Sequence, residues 1–128
     1  THSEQLRDFG KTFEKAFFQT ENGSLLSNSM KTMFGLLFEL AWNVRTGDLH
    51  FNFKNFMIWL VRLGFPIMMP DGISLADYGQ QVIALAKEKP LAGLIQVGEV
   101  GMKKVPTQKE LLQTFEAYQK IVTEIRGE

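Results

Sequence analysis

The sequence predicts an all-α fold, a compact bundle of five to six helices built around a central helix that is mostly apolar. Three observations predict it: apolar residues recur at helical spacing, two segments in the middle of the chain are apolar on nearly every side, and glycine or proline separates the segments. Apolar residues make up 45% and charged residues 22% of the 128 residues, as in globular proteins. We therefore expect residues 1–128 to form a single helical domain.

Two helices are predicted in the first part of the chain. The first has apolar residues at positions 6, 9, 13 and 17 with charged residues between them, and residues 21–23 end it. A serine at position 24, 27 or 29 is expected to cap the second, whose apolar stripe runs over residues 30–44. Few positions of this second helix remain for solvent: Lys31, Thr32, Gly35, Glu39 and Asn43.

The third helix is predicted to begin near Asn52 and to extend to Leu63. Apolar side chains cover most of its circumference, a pattern typical of a helix that is buried on all sides. We therefore expect it to be the most buried helix and to lie at the centre of the bundle, with the C-terminal helix packed across it.

Two further helices are predicted from their capping residues. Ser74 followed by Asp77 marks the start of a helix that Pro90 closes. Thr107 followed by Glu110 is a capping box, and a regular apolar seam after it predicts a C-terminal helix.

Residues 91–105 do not favour one structure. Gly93, Gly98 and Gly101 weaken any helix there, and the apolar residues between them suit a strand or a hairpin equally well. A small α+β fold that pairs strands at residues 49–53 and 94–100 is therefore the alternative.

Charge and cysteine content exclude several classes of function. The chain has 14 basic and 14 acidic residues, distributed evenly, and so lacks the basic patch of a nucleic-acid-binding protein. It has no cysteine, which excludes disulfides and thiolate chemistry. The longest apolar run, residues 56–61, is far shorter than the about 20 residues of a membrane-spanning helix. No signal peptide is recognisable, and we take a cytoplasmic location as the default expectation.

No pattern of residues predicts catalysis, a metal or a cofactor. The two histidines, His2 and His50, have no second strong metal ligand near them in sequence, and the loops at residues 45–56 and 70–78 offer too few oxygen ligands for calcium. Glycines 93, 98 and 101 are not followed by the Lys-Ser/Thr pair of a phosphate-binding loop. We therefore predict no catalytic residue, no metal site and no cofactor, and we expect that the protein is not an enzyme.

One acidic residue stands out because of its surroundings. Glu39 lies on the nearly all-apolar second helix, where a buried carboxylate is costly unless a cation pairs with it. Arg62 or Lys54, both on the next helix, is the predicted partner, with Arg62 preferred in a structural ion pair.

Apolar side chains are concentrated in the middle of the chain beyond what a small core readily covers. We predict that the excess forms a partner-binding surface, which comprises Trp42, Trp59, Phe65, Ile67, Met68 and Met69. The expected function is that of a non-catalytic interaction module, a subunit or assembly factor that docks on a protein partner or on a second copy of itself.

Two other functions remain as alternatives. One is the transport of an apolar small molecule in a pocket between the second and third helices, lined by Met and Phe side chains. The other is helix-turn-helix binding of nucleic acid, which the balanced charge disfavours.

Overall fold

Five α-helices account for most of the residues that the structure, a computed structural model, describes: 10–46, 51–70, 72–94 and 100–127. The helices are α1 (Lys11–Gln19), α2 (Asn28–Thr46), α3 (Phe53–Arg62), α4 (Leu75–Glu88) and α5 (Gln108–Arg126). A short 3₁₀-helix (Gly23–Leu25) precedes α2, and two short strands, β1 (Leu91–Leu94) and β2 (Val100–Lys104), precede α5. The predicted all-α bundle is confirmed. Positions 6 and 9 of the predicted first helix lie outside the described residues.

The capping residues define where three of the helices begin. The Ser74 hydroxyl accepts the backbone N–H of Asp77 at the start of α4. At the start of α5, Thr107 and Glu110 each accept the other's backbone N–H, at 3.1 and 2.9 Å, which completes the predicted capping box. Asn52 caps α3 through its side-chain oxygen, as its position in the sequence predicts.

The central helix of the bundle is α2, and the prediction that residues 52–63 fill this place is wrong. Helix α2 packs against both α1 and α5, and α4 packs against α1 and α5 in turn. Helix α3 buries only Phe53, Met57 and Leu60, which form a narrow stripe at helical spacing. Both segments are apolar on most sides, so periodicity alone could not determine which of them the other helices surround.

Aromatic rings join the helices in the core. The ring of Phe38 on α2 lies between 5.1 and 6.2 Å from the rings of Phe17, Tyr78, Phe115 and Tyr118, which come from α1, α4 and α5. Such pairs stabilise a core beyond the burial of their surface. Both tyrosine hydroxyls are satisfied, which keeps these buried polar groups from costing stability. Tyr78 donates to the carbonyl of Phe13 at 2.9 Å, and Tyr118 donates to a carbonyl of the segment after α3.

In the region that the sequence left open, the described residues 91–94 and 100–104 pair as two antiparallel strands. Leu91 pairs with Lys104 and Leu94 pairs with Val100, with a register shift between them. The strand that the α+β alternative places at residues 49–53 is not found, because Phe53 is already in α3. Residues 49 and 50 of that strand lie outside the described residues. The α+β alternative is therefore wrong.

Candidate apolar docking surface

The structure divides the six residues predicted to bind a partner into exposed and covered ones. The side chains of Trp59, Phe65 and Met68 are 54%, 48% and 50% exposed. Trp42 is only 1% exposed and Ile67 is buried as well, so their assignment to an exposed surface is wrong. The sixth residue, Met69, is half-buried against the core.

Trp42 and Ile67 are covered for identifiable reasons. Trp42 lies on α2, which other helices surround, and its indole N–H has no hydrogen-bond acceptor within the described part of the chain. The carbonyl of Ile67 accepts a hydrogen bond at 2.5 Å from the buried hydroxyl of Tyr118, which holds this residue against α5.

Several exposed apolar side chains lie at the end of α3 and in the segment that follows it. We call Trp59, Leu63, Phe65 and Met68 the Trp59 surface; each of them is about half exposed. Trp59 stacks on Phe56 at 5.9 Å between ring centroids, which restricts the indole while leaving it accessible to solvent. Several large apolar side chains remain about half exposed from residue 59 to residue 68, and exposed apolar patches are typical of interaction sites.

A glycine turn positions the second half of this surface. Gly64 has a φ of +90°, its N–H donates to the carbonyl of Val61, and the N–H of Phe65 donates to the carbonyl of Leu60. These are the two hydrogen bonds of a Schellman motif, in which glycine favours the left-handed residue after the helix. The backbone therefore fixes the path of the chain from Leu63 to Phe65, although both side chains are exposed.

Charges near the Trp59 surface come from α3 and α5. Arg62 is exposed and lies one helical turn beyond Trp59. Arg126 of α5 donates from Nη1 to the sulfur of Met68 at 2.6 Å. Lys54 and Glu124 form a salt bridge of 3.1 Å between α3 and α5, so these two charges offset each other.

The predicted ion pair between Glu39 and Arg62 is wrong. Glu39 is 2% exposed on α2, and its Oε1 accepts the backbone N–H of Gly10 at 3.0 Å. Burial raises the pKa of Glu39 to about 8, against the smaller opposite effect of the Gly10 hydrogen bond. Burial raises the pKa of the Tyr78 hydroxyl well above 10, and the negative charge of Glu39 raises it further.

A close approach between α1 and α2 explains why Glu39 bonds to a backbone group. A Cβ atom on Gly35 would lie 2.7 Å from the nitrogen of Glu14 and 2.8 Å from the carbonyl oxygen of Gly10. Gly35 therefore allows the first turn of α1 to lie against α2. Glu39, one turn further along α2, then meets the N–H of Gly10. The glycine four residues before Glu39 was the only sequence signal for this contact.

An apolar cleft opens on another part of the bundle. It has a volume of about 240 Å³ and lies between α2, the first residue of α3 and the middle of α5. We call it the α2–α5 cleft; its lining residues are Ala41, Val44, Arg45, Phe53, Thr114, Ala117, Tyr118 and Ile121. The sequence placed a pocket between the second and third helices, with Met and Phe in its walls. Among the described residues, the cleft instead has a third wall from α5, no Met and a single Phe.

The described residues form no metal-binding cluster and no membrane-spanning helix. Within the described ranges, no group of three or more His, Asp or Glu residues could hold a metal ion. None of the described helices is long and apolar enough to cross a bilayer. Comparison with protein-family models, curated proteins and solved structures finds no match.

Proposed function

We propose that this chain is a non-catalytic protein-interaction module that binds a partner protein through the Trp59 surface. The supporting observation is the half-exposed indole of Trp59, with three more half-exposed apolar side chains within the next nine residues. Tryptophan is the residue most often found at the energetic centre of protein interfaces. Stacking on Phe56 and the Gly64 turn hold this surface in place before binding, which reduces the entropy lost on association.

The charge beside the surface favours a particular partner. Arg62 lies on the same face of α3 as Trp59, so an apolar segment with an acidic residue beside it would match both. A symmetric contact between two copies would instead bring this face of each copy against the other and enclose two Arg62 charges in one interface. We therefore favour a different protein, one that presents an amphipathic segment with an acidic flank. A nucleic-acid partner is not part of the proposal, because basic and acidic residues balance.

The test is a selection of amphipathic peptides from a displayed library against the full chain, followed by affinity measurements with purified peptides. We expect peptides with apolar residues at helical spacing and an acidic flank. Trp59→Ala should weaken their binding at least tenfold, as expected for a central tryptophan. Arg62→Gln should weaken it about threefold to fivefold, as expected for a partly solvated ion pair.

Leu25→Ala is the matched control, because Leu25 is 80% exposed and lies before α2, away from α3 in sequence. This variant should bind the selected peptides with unchanged affinity. Sedimentation of the wild-type chain across concentrations then measures whether the chain forms a dimer. Selection of no peptide, or of peptides that bind Trp59→Ala as tightly as wild type, would contradict the proposal. A dimer that Trp59→Ala abolishes would also contradict it, because the surface would then serve a second copy.

A further inference from the structure

We infer that the α2–α5 cleft binds a short-chain alkyl carboxylate, with its alkyl chain between the helices and its carboxylate at Arg45. The cleft and the Trp59 surface share no residue, so this inference does not depend on the proposed function. It assigns to the chain a small-molecule site of defined chemistry.

The walls of the cleft offer almost no hydrogen-bond donors to a ligand. Its two hydroxyl groups are already engaged, since Thr114 donates to the carbonyl of Glu110 at 2.7 Å and Tyr118 donates to that of Ile67 at 2.5 Å. The other lining residues apart from Arg45 have hydrocarbon side chains. Water gains few hydrogen bonds in such a space, so an alkyl chain is its favoured occupant.

Arg45 is the exception, and it selects the head group. It is an exposed residue in the last turn of α2 and, among the described residues that line the cleft, is the only charged one. Within the described part of the chain, no carboxylate lies within ion-pair distance of its guanidinium. A guanidinium binds a carboxylate through two parallel hydrogen bonds, and none of the described residues in the cleft wall is an acidic one that would repel that anion.

The size of the cleft limits the length of the ligand. Its volume of about 240 Å³ is below the range of about 300–1,000 Å³ typical of sites for drug-sized molecules. Two alanines, Ala41 on α2 and Ala117 on α5, line it, so larger side chains at these positions would occupy the same space. Both residues are half-buried, which leaves the cleft open at one side for the carboxylate.

The experiment measures the binding of octanoate to the full chain by isothermal titration calorimetry, with octanol as the uncharged probe of similar chain length. We expect saturable binding of one octanoate per chain and weaker binding of octanol. Arg45→Gln should weaken octanoate about threefold to fivefold and leave octanol unchanged. Ala117→Leu should weaken both at least tenfold, because it fills the cleft. Ala41→Leu fills the cleft from α2 and replaces Ala117→Leu in the experiment if circular dichroism shows that Ala117→Leu does not fold.

Two control variants separate this site from the rest of the surface. Arg62→Gln removes an equally exposed guanidinium outside the cleft and should leave octanoate binding unchanged. Trp59→Ala should also leave it unchanged, whatever the outcome of the peptide selection. Absence of saturable octanoate binding would overturn the inference. Binding that survives both cleft-filling variants, or that Trp59→Ala abolishes, would also overturn it, because the ligand would then lie elsewhere.

Discussion

Replacement of Glu39 by glutamine should change how the stability of the fold depends on pH. The unfolded carboxyl group ionises near pH 4.5, whereas the folded one keeps its proton up to about pH 8. Between these values the folded state binds more protons than the unfolded state, so the free energy of unfolding falls as pH rises. Above pH 8 both states are ionised, and this group adds no further slope.

The size of the effect follows from the difference between the two pKa values. A pKa raised from 4.5 to about 8 corresponds to a loss of about 5 kcal/mol once both states are ionised. Glutamine at this position keeps an oxygen that accepts the Gly10 N–H and carries no charge at any pH. Glu39→Gln should therefore match wild type within about 1 kcal/mol at pH 5 and exceed it by several kcal/mol at pH 9.

The assay is urea denaturation followed by circular dichroism at pH 5, 7 and 9 for both proteins. Other titrating groups cancel in the difference between the two curves. Glu124→Gln is the matched control, because it removes an exposed carboxylate whose salt bridge with Lys54 contributes less than about 1 kcal/mol. This control should keep the wild-type pH dependence. Parallel curves for wild type and Glu39→Gln from pH 5 to 9 would refute the assignment of a buried, proton-retaining carboxyl group.

Four further predictions test the fold. Trp59→Phe, which retains only the buried Trp42, should show blue-shifted fluorescence that resists acrylamide, whereas Trp42→Phe should show red-shifted, readily quenched emission; equal quenching would contradict the burial of Trp42. Gly35→Ala should lower the free energy of unfolding by about 2–3 kcal/mol in urea, because its Cβ would clash with backbone atoms of α1. Gly64→Ala should cost only about 1 kcal/mol, because its positive φ strains alanine but the space around it is open; a Gly64→Ala loss as large as that of Gly35→Ala would contradict the close helix contact. Thr107→Ala should cost about 1 kcal/mol through loss of the capping box, and an unchanged urea midpoint would contradict the role of this cap.

Local signals in the sequence predicted the parts of the fold that depend on neighbouring residues. The capping residues Thr107, Glu110 and Ser74 indicated where α5 and α4 begin, because a cap satisfies backbone N–H groups only three residues away. The centre of the bundle was missed because it depends on which of two apolar helices the others surround. That outcome reflects long-range packing, which periodicity does not encode.

The candidate site was also predicted only in part, because the burial of each side chain depends on long-range packing. Trp59 is exposed as the excess of apolar residues predicted, because α3 offers only a narrow stripe to the core, and Phe65 and Met68 are exposed in the segment after α3. Trp42 also has apolar neighbours in the sequence, but it is buried because it lies on α2, which other helices surround. Two features depend on small residues where helices cross: the contact of Glu39 with Gly10, and the α2–α5 cleft. The sequence shows that these residues are small but does not show which helix packs against them.

The most direct test of the proposed docking surface is a nitrogen-15 NMR titration of the full chain with a selected acidic amphipathic peptide. The two tryptophans give two indole N–H signals, which Trp59→Phe assigns. We expect the Trp59 signal to shift with peptide concentration and to saturate, while the signal of the buried Trp42 stays in place. A Trp59 signal that does not move when the peptide saturates the chain would contradict the account.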